Sequence, residues 1–158
     1  MTTWAALKTI TMPEPFRTHT INAADAGFLD FQATHPAASY PEYLVFWWLT
    51  QHGYEEYRDF IYQFAIGGGR TQAGGLIADF MLDFTHPRRT ILEVYGVAFH
   101  SDPVHRGYES IAQDILRKEI WEHLGFTFVR VKDTDVIDRL DYVMQHAVVG
   151  EEIAQFQG

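Results

Sequence analysis

Residues 74–100 read GGLIADFMLDFTHPRRTILEVYGVAFH. Leu76–Phe84 and Thr90–Ala98 are runs of apolar, aromatic and β-branched residues, and His86-Pro87-Arg88-Arg89 between them carries turn chemistry. The stretch therefore reads as two antiparallel strands joined by a short turn. In GGLIADFML the acid Asp79 interrupts an otherwise apolar strand, and in TILEVYGVAFH Glu93 does the same. A carboxylate within a buried strand is costly unless it is paired or holds a cation. Two of them on adjacent strands can converge on one point, and paired carboxylates with water suit Mg²⁺ or Mn²⁺. The same two acids also suit solvent-facing positions on an edge hairpin.

Working outward, YRDFIYQFAI at 57–66 reads as a preceding strand. The glycine-rich 67–75 that follows lacks a Gly-Lys-Ser/Thr and leads into a strand rather than a helix, so it reads as a hairpin loop and not a phosphate cradle. Upstream, Ser39-Tyr40-Pro41-Glu42 is a capping box with proline in the first turn, opening a helix that runs to about His52 and stops at Gly53. That helix is apolar on most sides and should be buried. Downstream, 106–124 reads as a helix with an apolar band at Ile111, Ile115, Leu116 and Ile120, closed by Gly125. Phe126–Val131 reads as a fourth strand, and Thr134–Val149 as an amphipathic helix with Val136, Ile137, Leu140, Val143, Met144 and Ala147 on one face. Core packing explains that stripe better than a dimer seam does. The order is α-β-β-β-α-β-α over residues 39–149, with an irregular arm at 1–38 holding one short helix around Ala23–Phe31, and a tail at 150–158. There is no internal repeat.

At 158 residues the chain suits one domain, and 47% hydrophobic with 15% aromatic content argues for a real core rather than disorder. Cysteine is absent, which removes disulfides, thiolate zinc sites and a cysteine nucleophile. His86, His105, His123 and His146 have no zinc-type spacing. No apolar run approaches the roughly 20 residues of a membrane span, and the N-terminus lacks a secretory h-region, so a soluble, cytoplasmic protein with no membrane partner is expected. The net charge of −9 sits at the two ends: residues 1–59 net −4, residues 133–158 net −5, and residues 60–132 balance. Net acidity disfavours a polyanion held by bulk charge, but not one gripped locally and through a metal ion.

The run from Glu42 to Asp135 resembles the PD-(D/E)XK, or restriction-endonuclease-like, superfamily, and in particular its small branch around the very-short-patch-repair endonucleases. The resemblance is carried by Pro41-Glu42 opening a helix, Tyr62-Gln63 in the first strand and Ala78-Asp79-Phe80 in the second. It continues through Leu92-Glu93-Val94-Tyr95-Gly96 with His100 beyond, Asp114-x-x-x-Lys118 in a helix, Leu124-Gly125-Phe126, and Phe128-Val129-Arg130-Val131 leading to Asp133 and Asp135. It implies an α/β fold with a three-layer α/β/α core around a mixed sheet. It also implies a metal-dependent endonuclease that hydrolyses DNA phosphodiesters with Mg²⁺ or Mn²⁺.

Carried over by residue, the resemblance makes Asp79 and Glu93 the metal-binding acids, with the Val94 carbonyl as a further ligand. Glu42 becomes the extra helical glutamate, pointed inward by its place beside Val45, Phe46 and Leu49; capping alone is its other role. The lysine of the E-x-K position is replaced by Tyr95. His100, Lys118 reaching in from its helix, or Tyr95 itself would then assist the attacking water. Asp114 and Lys118 also suit an ordinary helical ion pair. Arg70, Arg88, Arg89 and Arg106 sit at the ends of elements where they could grip phosphates, with Gln63 assisting, or simply lie in solvated loops. Cutting both strands would call for a homodimer. Loss of the lysine and the acidic ends favour a second role, a catalytically impaired nuclease-fold module that binds DNA or protein. A third is an enzyme acting on a nucleotide or another small phosphoester.

Overall fold

The computed structural model describes residues 27–67, 76–96 and 108–153. Helix α1 (Phe28–Thr34) leads into α2 (Tyr40–Gln51), which starts at the expected capping box. The Ser39 hydroxyl accepts from the Glu42 N–H while the Glu42 carboxylate accepts from the Ser39 N–H. Three strands follow, β1 (Phe60–Ile66), β2 (Leu76–Leu82) and β3 (Thr90–Tyr95), then α3 (Tyr108–His123), β4 (Thr127–Lys132), α4 (Asp133–Asp138) and α5 (Leu140–Ala147). The strands form one mixed sheet in the order β1-β2-β3-β4, antiparallel except for the parallel β3–β4 pair. The protein is thus an α/β fold, and the hairpin expected across the glycine-rich stretch is present as the antiparallel β1–β2 pair. The loop at 68–75 itself lies outside the described residues.

Helices cover both faces of the sheet. On one face, α1, α2, α4 and α5 pack with Phe60, Tyr62, Phe80, Leu82, Leu92 and Val94. On the other, Trp121 of α3 packs with Ala78, Met81, Ile91 and Phe128. A regular strand returns to the same face every second residue. In β1, however, Tyr62 belongs to the first cluster and Phe64 to the second; in β2, Ala78 belongs to the second and Phe80 to the first. Both strands change phase at one level. There Gln63 takes a left-handed φ of 56°, and the described pairing passes from Tyr62↔Phe80 directly to Phe64↔Ala78. Asp79 sits at the same level.

Several boundaries differ from the sequence reading. The first strand starts at Phe60, because Glu55–Asp59 form a turn in which the Asp59 carboxylate accepts from the Glu55 N–H at 2.8 Å and Tyr57 takes a φ of 70°. The single helix expected over 134–149 is two, broken at Arg139 (φ −148°, ψ 50°), although its apolar stripe enters the core as expected. The short helix of the N-terminal arm runs later, over Phe28–Thr34. The apolar band expected on the third helix is the largest correction. Ile115 and Leu116 are 55% and 54% exposed, and the helix instead turns Trp121, fully buried, and Arg117 toward the sheet. Arg117 and Trp121 lie one turn apart on one face, so the polar contact at Arg117 and the indole jointly set the helix rotation.

Trp121→Ala should therefore cost about 3–5 kcal/mol in urea unfolding. Leu116→Ser should stay within about 0.5 kcal/mol of wild type; the reverse ranking would mean that α3 packs through the band read from the sequence.

Candidate functional site

Three elements bring acids together at the level of the phase change. Glu42 lies in the first turn of α2, Asp79 in mid-β2 and Glu93 in β3. A cavity of about 340 Å³ opens beside Glu42 and Asp79. Its walls are Ala37, Ala38, Ser39 and Glu42 on one side, Gln63 and Asp79 in the middle, and Val94, Tyr95, Gly96 and Asp133 on the other.

Glu42 is the most heavily bonded of these acids. Its Oε2 accepts from the Ser39 hydroxyl at 2.7 Å and the Ser39 N–H at 3.3 Å, and its Oε1 from the Tyr62 hydroxyl at 2.8 Å and Gln63 Nε2 at 3.3 Å. Capping and site-building are the same set of bonds. Burial, then the adjacent Glu42 carboxylate, pushes the Tyr62 phenol well above its usual range, so it stays a donor.

Asp79 is held from β3, where the Val94 N–H donates to its Oδ2 at 2.9 Å. Burial, and after it the charges of Glu42 and Glu93, raises its carboxyl well above the usual carboxylate range; the Val94 bond and Arg117 offset this only in part. Glu93 faces the other way along the alternation of β3, toward α3, where Arg117 forms an ion pair with it and also donates to the Ile77 carbonyl at 2.8 Å. Arg117 is the residue that sequence reading missed. Lys118, expected in that role, is exposed. Successive helical residues are about 100° apart around the axis, so a helix that presents 117 to the sheet turns 118 away.

Tyr95 lines the cavity with its ring under the Arg130 guanidinium, 4.1 Å from centroid to carbon. Its hydroxyl is buried and has no hydrogen-bond partner among the described residues; burial raises its pKa more than Arg130 lowers it. Arg130 in turn lies 3.6 Å from Asp114. Asp133, only 3% exposed, forms the far wall. Tyr95↔Lys132 is the last pair of the parallel β3–β4 ladder, which makes Gly96 and Asp133 neighbours at its end. A Cβ at position 96 would stand 2.0 Å from the Asp133 carboxyl carbon, so only glycine fits there. The glycine after one strand and the acid after its parallel partner were the available sequence signal.

Gln63 is brought into the cavity. Arg88 and Arg89 are not: they lie in the turn before β3, with Arg89 about 13 Å along the strand from Glu93 at 3.3 Å per residue and Arg88 one residue farther. There Arg89 stands over the Phe126 ring and 3.8 Å from Asp83. His100, Arg70 and Arg106 lie outside the described residues.

Among the described residues no group of three or more His, Asp or Glu side chains is arranged as a full metal-ligand set. Mg²⁺ does not require one; it keeps several waters and is commonly held by one or two carboxylates plus substrate phosphate. Burial first, and then the repulsion from Glu42 and Glu93, raises Asp79, and a cation at this point would offset both, so the residues fit such an ion. Comparison with family models, with curated proteins and with solved structures gives no match. No helix among the described residues is long and apolar enough to cross a membrane.

The raised Asp79 carboxyl has a pH consequence. The folded protein holds that proton more tightly than the unfolded chain, so the destabilisation is absent below the unfolded pKa of about 3.9, grows as pH rises, and is complete above the folded value. Asp79→Asn should therefore melt higher than wild type at pH 8 in EDTA, with the gap closing as pH falls below about 4. A variant that melts lower at pH 8 would contradict the assignment of strain to this carboxylate.

Proposed function

We propose that the chain is a metal-dependent endonuclease that hydrolyses DNA phosphodiester bonds on a restriction-endonuclease-like core. The observation that carries this reading is the pair of carboxylates Glu42 and Asp79 lining one cavity, with Asp79 raised first by burial and then by the charges of Glu42 and of Glu93 behind it. The element order, the parallel β3–β4 pair and helices on both sheet faces support the same core. So do the residues of the PD-(D/E)XK resemblance, which places Asp79 and Glu93 at its acidic positions.

Asp79 would hold Mg²⁺ or Mn²⁺ in the cavity with the Val94 carbonyl beside it, and Glu93 would add its charge from the α3 side, where Arg117 pairs with it. The ion when bound supplies charge stabilisation on the phosphate and acidifies water. The protein's own residues do the rest. The Val94 N–H fixes the Asp79 carboxylate, and the Tyr62 and Gln63 donors fix Glu42 where it can orient water. Arg117 takes the place of the missing lysine as the cation beside Glu93. It holds that carboxylate in position from α3 and is available to a phosphate oxygen as charge develops.

A second reading is favoured by the same ion pair. Where Arg117 neutralises Glu93 permanently, the fold would act as a DNA- or protein-binding module without cleavage, and the tyrosine at 95 is consistent with that.

Supercoiled and single-stranded DNA incubated with Mg²⁺, Mn²⁺ or EDTA separate the two. The nuclease reading expects metal-dependent cutting that falls more than about 100-fold in Asp79→Ala and Glu93→Ala, since even supporting residues around a metal cost about 10–100-fold. Circular dichroism of both variants should stay native. Metal-independent binding of DNA without cutting, by folded wild type, would establish the binding module instead.

A further inference from the structure

A second, smaller pocket of about 120 Å³ adjoins the carboxylate cavity. It is lined almost wholly by apolar atoms, from His35, Pro36, Ala37, Ala38, Tyr62 and Gln63, and shares Ala37, Ala38 and Gln63 with the cavity as a common wall. Its aromatic members are fixed in advance. The His35 ring stacks on Phe31 with centroids 4.3 Å apart, meets Tyr62 edge-on at 5.4 Å, and donates from Nδ1 to the Phe31 carbonyl at 3.2 Å. The Tyr62 hydroxyl is tied to Glu42. Rigid rings beside an apolar slot present a stacking platform at low entropic cost.

We infer that this pocket receives one unpaired nucleobase of the strand whose phosphate occupies the neighbouring cavity. The inference rests on the nuclease reading and names its substrate class: a single-stranded or locally opened nucleic acid. A nucleotide is an anionic phosphate joined through a sugar to a flat apolar-faced base, and the two adjoining compartments divide the same way, one acidic and suited to a cation-bridged phosphate, one apolar and aromatic. A base inside an intact duplex is stacked and paired and is not free to enter a side pocket, so it must first be extruded or already be single-stranded. Tyr62 serves both compartments, its ring on the base side and its hydroxyl on Glu42, which couples base seating to the carboxylate cluster.

The test uses full-length protein and single-stranded oligonucleotides in which one position is either 2-aminopurine or an abasic residue, scanned along the strand. Cleavage is read in Mn²⁺, and binding in Ca²⁺ from 2-aminopurine emission. The expected result is one position, fixed relative to the scissile phosphate, at which 2-aminopurine is quenched and an abasic residue weakens binding between about 5-fold and about 150-fold, the range of base–aromatic stacking. His35→Ala should abolish both effects at that position, and His35→Phe, which restores a flat ring, should recover the quenching. Cutting without any position-specific quenching or abasic effect would overturn the pocket and leave the nuclease reading intact. Position-specific quenching lost in His35→Ala, without cutting, would uphold the pocket and overturn the nuclease reading. Neither binding nor cutting would overturn both.

Discussion

The arrangement depends on the carboxylate of Glu42. It closes the capping box that starts α2, it receives the Tyr62 hydroxyl and the Gln63 amide from β1, and its charge helps to raise Asp79 on β2. A helix cap contributes about 1 kcal/mol, and hydrogen bonds to a charged group about 1.5–3 kcal/mol each. Those donors make it affordable to set a second carboxylate next to the first. Without them, Asp79 would face an unsupported acid in a partly buried site, and the strand would be better served by an apolar residue.

The sheet contributes the second half of the arrangement. By changing phase between Tyr62 and Phe64, and again between Ala78 and Phe80, β1 and β2 give both faces a continuous apolar covering while leaving Gln63 and Asp79 at the crossover, beside the cavity. A non-glycine residue at positive φ costs of order 1–3 kcal/mol and persists only where its surroundings hold it. Here the Gln63 amide bond to Glu42 is one such hold. Strain, buried charge and cavity coincide at one level of the sheet, which is where a functional site is expected to concentrate its costs.

Much of this was legible in the sequence because it rests on local chemistry. Ser39 and Glu42 announce their own cap, and Asp79 and Glu93 stand out as acids in apolar strands. What was not legible depends on rotation and register. Ile115 and Leu116 look like a core face by spacing, yet the rotation of α3 is set by Arg117 meeting Glu93 and by Trp121 filling the sheet's second face, both long-range contacts. That rotation also replaces Lys118 by Arg117 at the site. Asp133 was visible only as part of an acidic turn; its place against Gly96 follows from the parallel register of β3 and β4. Nothing in the sequence around Asp138-Arg139 marks a helix break, since neither glycine nor proline is present.

On the proposed reading, the carboxylates, the cavity and the fixed rings beside it would together bring a phosphate and its base to a cation. That reading stands on Asp79, beside Glu42 in the cavity, being an ion site rather than a strained remnant. Titration of the folded protein with Mn²⁺, followed by the electron paramagnetic resonance signal of the free ion, addresses it without requiring turnover. The account predicts saturable uptake by wild type that is lost in Asp79→Asn. Uptake that is absent, or that persists unchanged in Asp79→Asn, would contradict it.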